Sequence, residues 1–232
     1  TVVALFNSVE DAANAVVAIT GEIRPAMLEF MDHASINAVE DDMRMGLDRS
    51  ARAMLLMQSD APGAATAEVA TMIAQCEKCG ASEVFATDDP AEGAAFTAAR
   101  RGMFGAVEKL GALLLEDVGV PIPQLPAMVT GVEDIAETCD VRVYMVAHAG
   151  DGNTHPIIVY DPTDPDGTDR AQRGRRGPAH RRLSPGMAGN PGSAESSRSR
   201  HATGCGLVGA ADGASIDATH RCSKCYVSRS QC

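Results

Sequence analysis

The chain has 232 residues, a formal net charge of −11, 45% hydrophobic and 3% aromatic residues, and no Trp. This length allows one or two domains, with a core built from Ala, Val, Leu, Ile and Met. The acidic balance argues against a nucleic-acid partner, which needs clustered Lys and Arg. No apolar run approaches the roughly 18 residues that a membrane-spanning helix needs.

Charge divides the chain in two. Residues 1–168 carry 9 basic and 27 acidic side chains, a net of −18, whereas residues 169–232 carry 11 and 4, a net of +7. One folded surface rarely changes sign so abruptly, so a domain over 1–168 and a different kind of segment over 169–232 are expected. Thr1 opens directly on a strand-like run with no secretory pattern before it, as expected of a cut inside a longer protein. Residues 170–201 are dominated by Arg, Gly, Ser, Pro and Ala, with little to bury. They read as a disordered basic tail, or as an aberrant stretch translated out of frame.

Along the first segment strand and helix patterns alternate. Val2–Phe6 is predicted as a strand, followed by an N-cap at Ser8 and a helix through Ile19 that ends at Gly21. Ala26–Phe30 reads as a strand, and Asp32 caps a helix to about Asp42. Ala53–Gln58 reads as a buried strand, Ala64–Cys79 as a helix, and Ser82–Ala86 as a short strand. Asp88-Asp89-Pro90 starts a helix running to about Lys109, with Pro in its first turn. Ala112–Val120 is predicted as one strand, Gln124–Cys139 as an amphipathic helix, and Val141–Val146 and Pro156–Tyr160 as strands joined by a Gly-rich turn. The sum is an α+β fold, an antiparallel or mixed sheet with helices on one face.

Seven cysteines include two Cys-x-x-Cys pairs, Cys76/Cys79 and Cys222/Cys225. Their wide separation argues against a shared metal site. Cys76 falls within a helical pattern, where a Cys is usually a small buried hydrophobe.

The chemistry concentrates in His148-Ala149-Gly150-Asp151-Gly152-Asn153-Thr154-His155. Two glycines let the backbone turn tightly or approach a ligand. The imidazoles of His148 and His155, near the ends of adjacent strands, could face one metal or one carboxylate. Asp151 and Asn153 could fix the turn or orient an imidazole. A hairpin turn with two incidental histidines is the plain alternative.

This run closely resembles the signature of the C-terminal domain of FAD-linked oxidases, a group that includes the FAD-linked subunit of glycolate oxidase, D-lactate dehydrogenase and D-2-hydroxyglutarate dehydrogenase. Pro25–Asp32, Ala98–Phe104 and Glu116–Pro121 also resemble family stretches, so the likeness covers roughly residues 1–167. It implies a ferredoxin-like substrate or cap domain over 1–168 that covers a flavin held mostly by a separate FAD domain. It implies a 2-hydroxy-acid substrate, oxidised to the 2-oxo acid by hydride transfer to FAD. Electron-transfer partner subunits and a location in the cytoplasm or peripherally at the inner membrane are further expectations.

The resemblance also assigns residues. His148 and His155 take the place of ligands to a divalent metal such as zinc. Arg100 takes the place of the arginine that pairs with the substrate carboxylate. Gly150, Asp151, Gly152 and Asn153 form the turn expected next to the cofactor. The chain departs from the family in lacking Glu-His-Gly, whose Glu is the third metal ligand and whose His is the base; His180 lies in an unrelated context. The polypeptide as it stands is therefore expected not to oxidise 2-hydroxy acids unaided. A binding module that uses the same His pair without flavin, or an interaction protein with a basic tail, are the rival readings.

Resequencing the codons of residues 160–190 tests the tail. In an out-of-frame tail a neighbouring frame reads Glu-His-Gly followed by an ordered helix, with a Trp where Met187-Ala188 now stands. No such frame is expected of a genuine tail.

Overall fold

A computed structural model describes residues 1–176. Among these residues eight strands are present: β1 (Val2–Phe6), β2 (Met27–Asp32), β3 (Ala53–Gln58), β4 (Ala81–Ala86), β5 (Ala112–Leu115), β6 (Val118–Gly119), β7 (Arg142–His148) and β8 (Asn153–Tyr160). Between and after them lie α1 (Val9–Glu22), α2 (His33–Met43), α3 (Ala65–Lys78), α4 (Pro90–Glu108), α5 (Leu125–Cys139) and α6 (Pro165–Arg176). The strands form one antiparallel sheet in the order β4-β1-β3-β2-β7-β8-β5, with β6 also paired to β8. The run β4-β1-β3-β2, crossed by α1 and α3, is the ferredoxin-like half.

The caps explain where helices start. Ser8 accepts from the Asp11 amide at 3.2 Å, Asp32 from the Ser35 amide at 2.8 Å, and Asp89 from the Ala91 amide at 2.8 Å. Each side chain satisfies an amide that has no partner within its helix. Helix α1 does not stop at Gly21 but continues to Glu22. The stop comes from Pro25, which bars the residue before it from helical geometry.

The helices divide between both faces of the sheet, which corrects the expectation of one covered face. Along each strand alternate residues point to opposite sides. Val2, Ala4, Phe6, Leu55 and Met57 join a core with α1, α3, α5 and α6, whereas Val3, Met54, Leu56, Tyr144 and Val146 join a second core with α2 and α4. A strand buried on both faces has no polar side to show, so β3 reads as a continuous apolar run.

The expected strand Ala112–Val120 is interrupted. Both halves pair with β8 in one register, Leu115 opposite Ile157 and Val118 opposite Thr154. The gap falls opposite His155 and Pro156, and Pro156 has no N–H to contribute to the ladder. The Pro156 carbonyl still accepts from the Glu116 amide at 3.0 Å.

Helix α6 crosses the expected boundary after residue 168. It docks through small residues, with Gly167, Ala171 and Gly174 buried, and Arg175 pairs with Glu116. Residues 177–232, including His180, Met187, Cys222 and Cys225, lie outside the described residues.

The seam between the two parts of the sheet is short. Strands β2 and β7 share three paired positions, Glu29 with His148, Phe30 with Ala147 and Met31 with Val146. Strands β2 and β3 share six.

Leu55 is fully buried in β3. Leu55→Ala removes about three methyl or methylene groups and leaves a void, so a loss of about 2–5 kcal/mol is expected as a lower urea midpoint with unchanged slope.

Candidate functional site

The sheet register assembles the site on the face covered by α2 and α4. Glu29 lies directly across from His148, and His155 lies diagonally beyond His148 on β8, whose Asn153 is the direct partner of His148. These side chains therefore project to one side, where diagonal neighbours are within reach of long or aromatic groups. The two imidazoles meet edge to face, centroids 5.2 Å apart at 84°. From α4, Arg100 reaches down to the same point.

Glu29 joins these parts. It is 8% exposed in the middle of an apolar strand. A buried carboxylate must be paired, and Glu29 accepts from Arg100 Nε at 2.9 Å through one oxygen and from His148 Nδ1 at 2.7 Å through the other. Sequence reasoning did not single out Glu29. Its signal was a lone charge among Met27, Leu28, Phe30 and Met31, in a strand too apolar to leave it solvated.

The two histidines are electrostatically unlike. The hydrogen bond to Glu29 holds His148 above the ordinary imidazole value. Burial pushes His155 below it, against the opposing pull of Asp117, whose Oδ1 lies 3.4 Å from His155 Nδ1. Asp117 occupies the gap between β5 and β6, opposite His155 in the shared register.

Next to this cluster opens a cleft of about 820 Å³, whose walls include Glu29, Arg100, His148, Gly150 and Asp151 as well as Arg24 and Arg101. Of the expected turn residues, Gly150 and Asp151 line the cleft. Gly152 and Asn153 are not among its lining residues. Gly152 has φ +69°, and a Cβ there would collide with the Val120 carbonyl oxygen. It serves the turn itself, a single 3-10 turn over Ala149–Asp151. Asn153 pairs with Gly119 in the sheet.

The donor set does not fit the expected metal. Among the described residues no group of three or more His, Cys, Asp or Glu side chains is placed to hold an ion. His148 and His155 alone fall short of the three protein ligands that catalytic zinc uses. Cys76 is fully buried and its thiol is pushed up to about 12 by that burial, as expected of a small buried hydrophobe.

A family model described as FAD linked oxidases, C-terminal domain, matches residues 1–174. Glycolate oxidase subunit GlcD of Bacillus subtilis is 34% identical over 176 residues, covering 75% of this chain and 37% of that protein. Its namesake in Escherichia coli K12 is 36% identical over 178 residues, covering 73% and 34%. A mitochondrial D-lactate dehydrogenase [cytochrome] of Arabidopsis thaliana is 25% identical over 173 residues, covering 72% and 30%. The chain thus spans about a third of the length of these relatives.

In the metal-free chain, NMR titration is expected to place His148 above and His155 below 6.5. The raised value of His148 adds stability below pH 6.5 that is lost as pH rises through its folded pKa, whereas the lowered value of His155 costs stability as pH falls below 6.5. Glu29→Gln brings the His148 titration down and strands Arg100. Loss of one partner from a largely buried charged pair costs about 3–5 kcal/mol, read by urea denaturation.

Proposed function

The chain belongs to the family of FAD linked oxidase C-terminal domains, and from that premise we propose that it is the substrate-facing domain of an oxidoreductase that converts a small 2-hydroxy acid, of glycolate or D-lactate type, to the 2-oxo acid. The observation that carries this reading is the convergence of Arg100 and His148 on the single buried carboxylate of Glu29 at the wall of the cleft. The cleft volume of about 820 Å³ exceeds what a two- or three-carbon acid fills, so it also fits the edge of a flavin ring. FAD, when bound, supplies the acceptor for the hydride from substrate C2.

The roles of the side chains follow from their partners. Arg100 gives its Nε to Glu29, which fixes the guanidinium and leaves its terminal nitrogens for a substrate carboxylate. His148 donates Nδ1–H to Glu29, so Nε2 is the nitrogen available to take up the hydroxyl proton. Glu29 then stabilises the imidazolium that forms, as the carboxylate does in other carboxylate–His pairs. Names of the relatives as oxidase subunits support further subunits that carry electrons onwards.

Calorimetry is expected to show saturable binding of glycolate or D-lactate to the purified chain, weakened roughly ten- to hundredfold by Arg100→Met, the range for a lost hydrogen bond to a charged group. In the FAD-loaded enzyme, His148→Ala is expected to lower kcat about 10²–10⁴-fold. Binding that ignores Arg100, or turnover that ignores His148, sinks the assignment of that residue.

A further inference from the structure

Strand β4 ends the sheet, and among the described residues it pairs with β1 alone. Residues 83–86 run in unbroken register against residues 2–5, so their outer side is an open ladder edge. Such an edge offers unpaired N–H and C=O groups to an added strand, and folded chains usually protect it with Lys, Pro or a covering segment. Strand β4 contains neither Lys nor Pro, its one charge is Glu83, and Ser82, Glu83, Phe85 and Ala86 are exposed.

A second cavity opens along this edge. Its volume is about 260 Å³, and it shares no lining residue with the cleft. Glu83 and Phe85 are the direct partners of Leu5 and Val3, so these side chains project to the face covered by α2 and α4. Buried Val3, Ile36 and Met54 contribute to the apolar lining. Phe85, 44% exposed, meets Phe96 of α4 with ring centroids 5.6 Å apart at 56°. Two exposed carboxylates, Glu83 and Asp48, belong to the same wall, and none of the lining residues is basic. Asp48 Oδ1 accepts from the amide and the hydroxyl of Ser50, which fixes its carboxylate in place.

The occupant follows from this chemistry. An exposed aromatic ring beside carboxylates suits a cation carried on an apolar stem, which packs the stem on the ring and turns its charged end to the acids. A second copy of the chain does not suit it. Residues 1–168 carry 9 basic and 27 acidic side chains, a net of −18, and edge-to-edge pairing would bring two Glu83 side chains together.

We propose that β4 is a docking edge for an extended segment of a partner protein, which adds a strand to the sheet and seats one Arg or Lys side chain in the Phe85/Phe96 pocket, against Glu83 and Asp48. Main-chain hydrogen bonds supply affinity, and the pocket supplies the choice of side chain. This goes beyond the chemistry of the cleft and stands whatever acid the cleft binds.

The test is NMR titration of the full chain with a capped five-residue peptide of Val and Thr around a central Arg. Its controls are the same peptide with a central Glu and a version with methylated backbone nitrogens. At low ionic strength the Arg peptide is expected to shift the amides of β4 and the ring signals of Phe85 and Phe96. It should bind about tenfold more tightly than the Glu peptide, the scale of two exposed ion pairs, with a ratio that shrinks as salt is added. Methylation blocks the added ladder and is expected to abolish binding. Phe85→Ala is expected to weaken the Arg peptide about two- to fivefold, the range for one exposed cation–π contact, and Glu83→Gln to lower the preference for Arg over Glu. Both positions are exposed, and such substitutions are well tolerated by the fold. Equal affinity for the Arg and Glu peptides, no binding, shifts confined to other strands, or binding that ignores both substitutions overturns the proposal. Signals of β4 that move with protein concentration alone overturn it in favour of a second copy. Signals of residues 177–232 that move together with those of β4 on peptide addition overturn it in favour of the chain's own basic segment.

Discussion

The buried carboxylate of Glu29 is the constraint on which the site depends. A carboxylate left only 8% exposed has little water to solvate it, so the surrounding structure must supply its partners. Two elements distant in sequence do so, α4 through Arg100 and β7 through His148. Satisfying one side chain thereby fixes the helix against the sheet, the tautomer of the imidazole and the orientation of the guanidinium. Pre-organisation of this kind is what a site needs when its cofactor performs the redox chemistry and the protein contributes position and charge.

The double-sided burial of the sheet also determines where chemistry can sit. Apolar side chains fill both faces along most of the strands. Polar groups concentrate at the end where β7 turns into β8, and there the register of three strands brings Glu29, His148 and His155 to one side. The interruption opposite Pro156 adds Asp117 to this group. The cleft beside them takes its cationic character from two helix-associated segments, so its charge is separable from the sheet that carries the histidines.

Much of this was legible in the sequence, and the failures have physical causes. Ala53–Gln58 was readable because a strand buried twice over is a continuous apolar run, and Ser8, Asp32 and Asp89 were readable because capping is local. Which sheet face a helix covers was not readable, since an amphipathic stripe names a buried side without naming its partner. The break after Leu115 was hidden because its cause, Pro156, lies on the neighbouring strand some forty residues later. Helix α6 looked like tail because its docking surface is made of Gly and Ala and carries almost no apolar signal. The His motif located the site, and Arg100 was placed by resemblance. Glu29 escaped because it was read as part of an apolar strand, when the single charge within that strand was the informative residue.

The brevity of the β2–β7 seam bears on how the molecule assembles and breathes. Strands β1 to β4 pair among themselves, as do β5 to β8, so most ladder hydrogen bonds on each side are made within one part of the chain. Among the described residues the three-position seam is the only strand pairing that joins the two parts, across more than a hundred residues of chain. Glu29 and His148 sit at that seam. The cluster thus depends on the shortest joint in the sheet, and partial opening along the seam would dismantle it while leaving both parts of the sheet intact, a separation of site integrity from global unfolding.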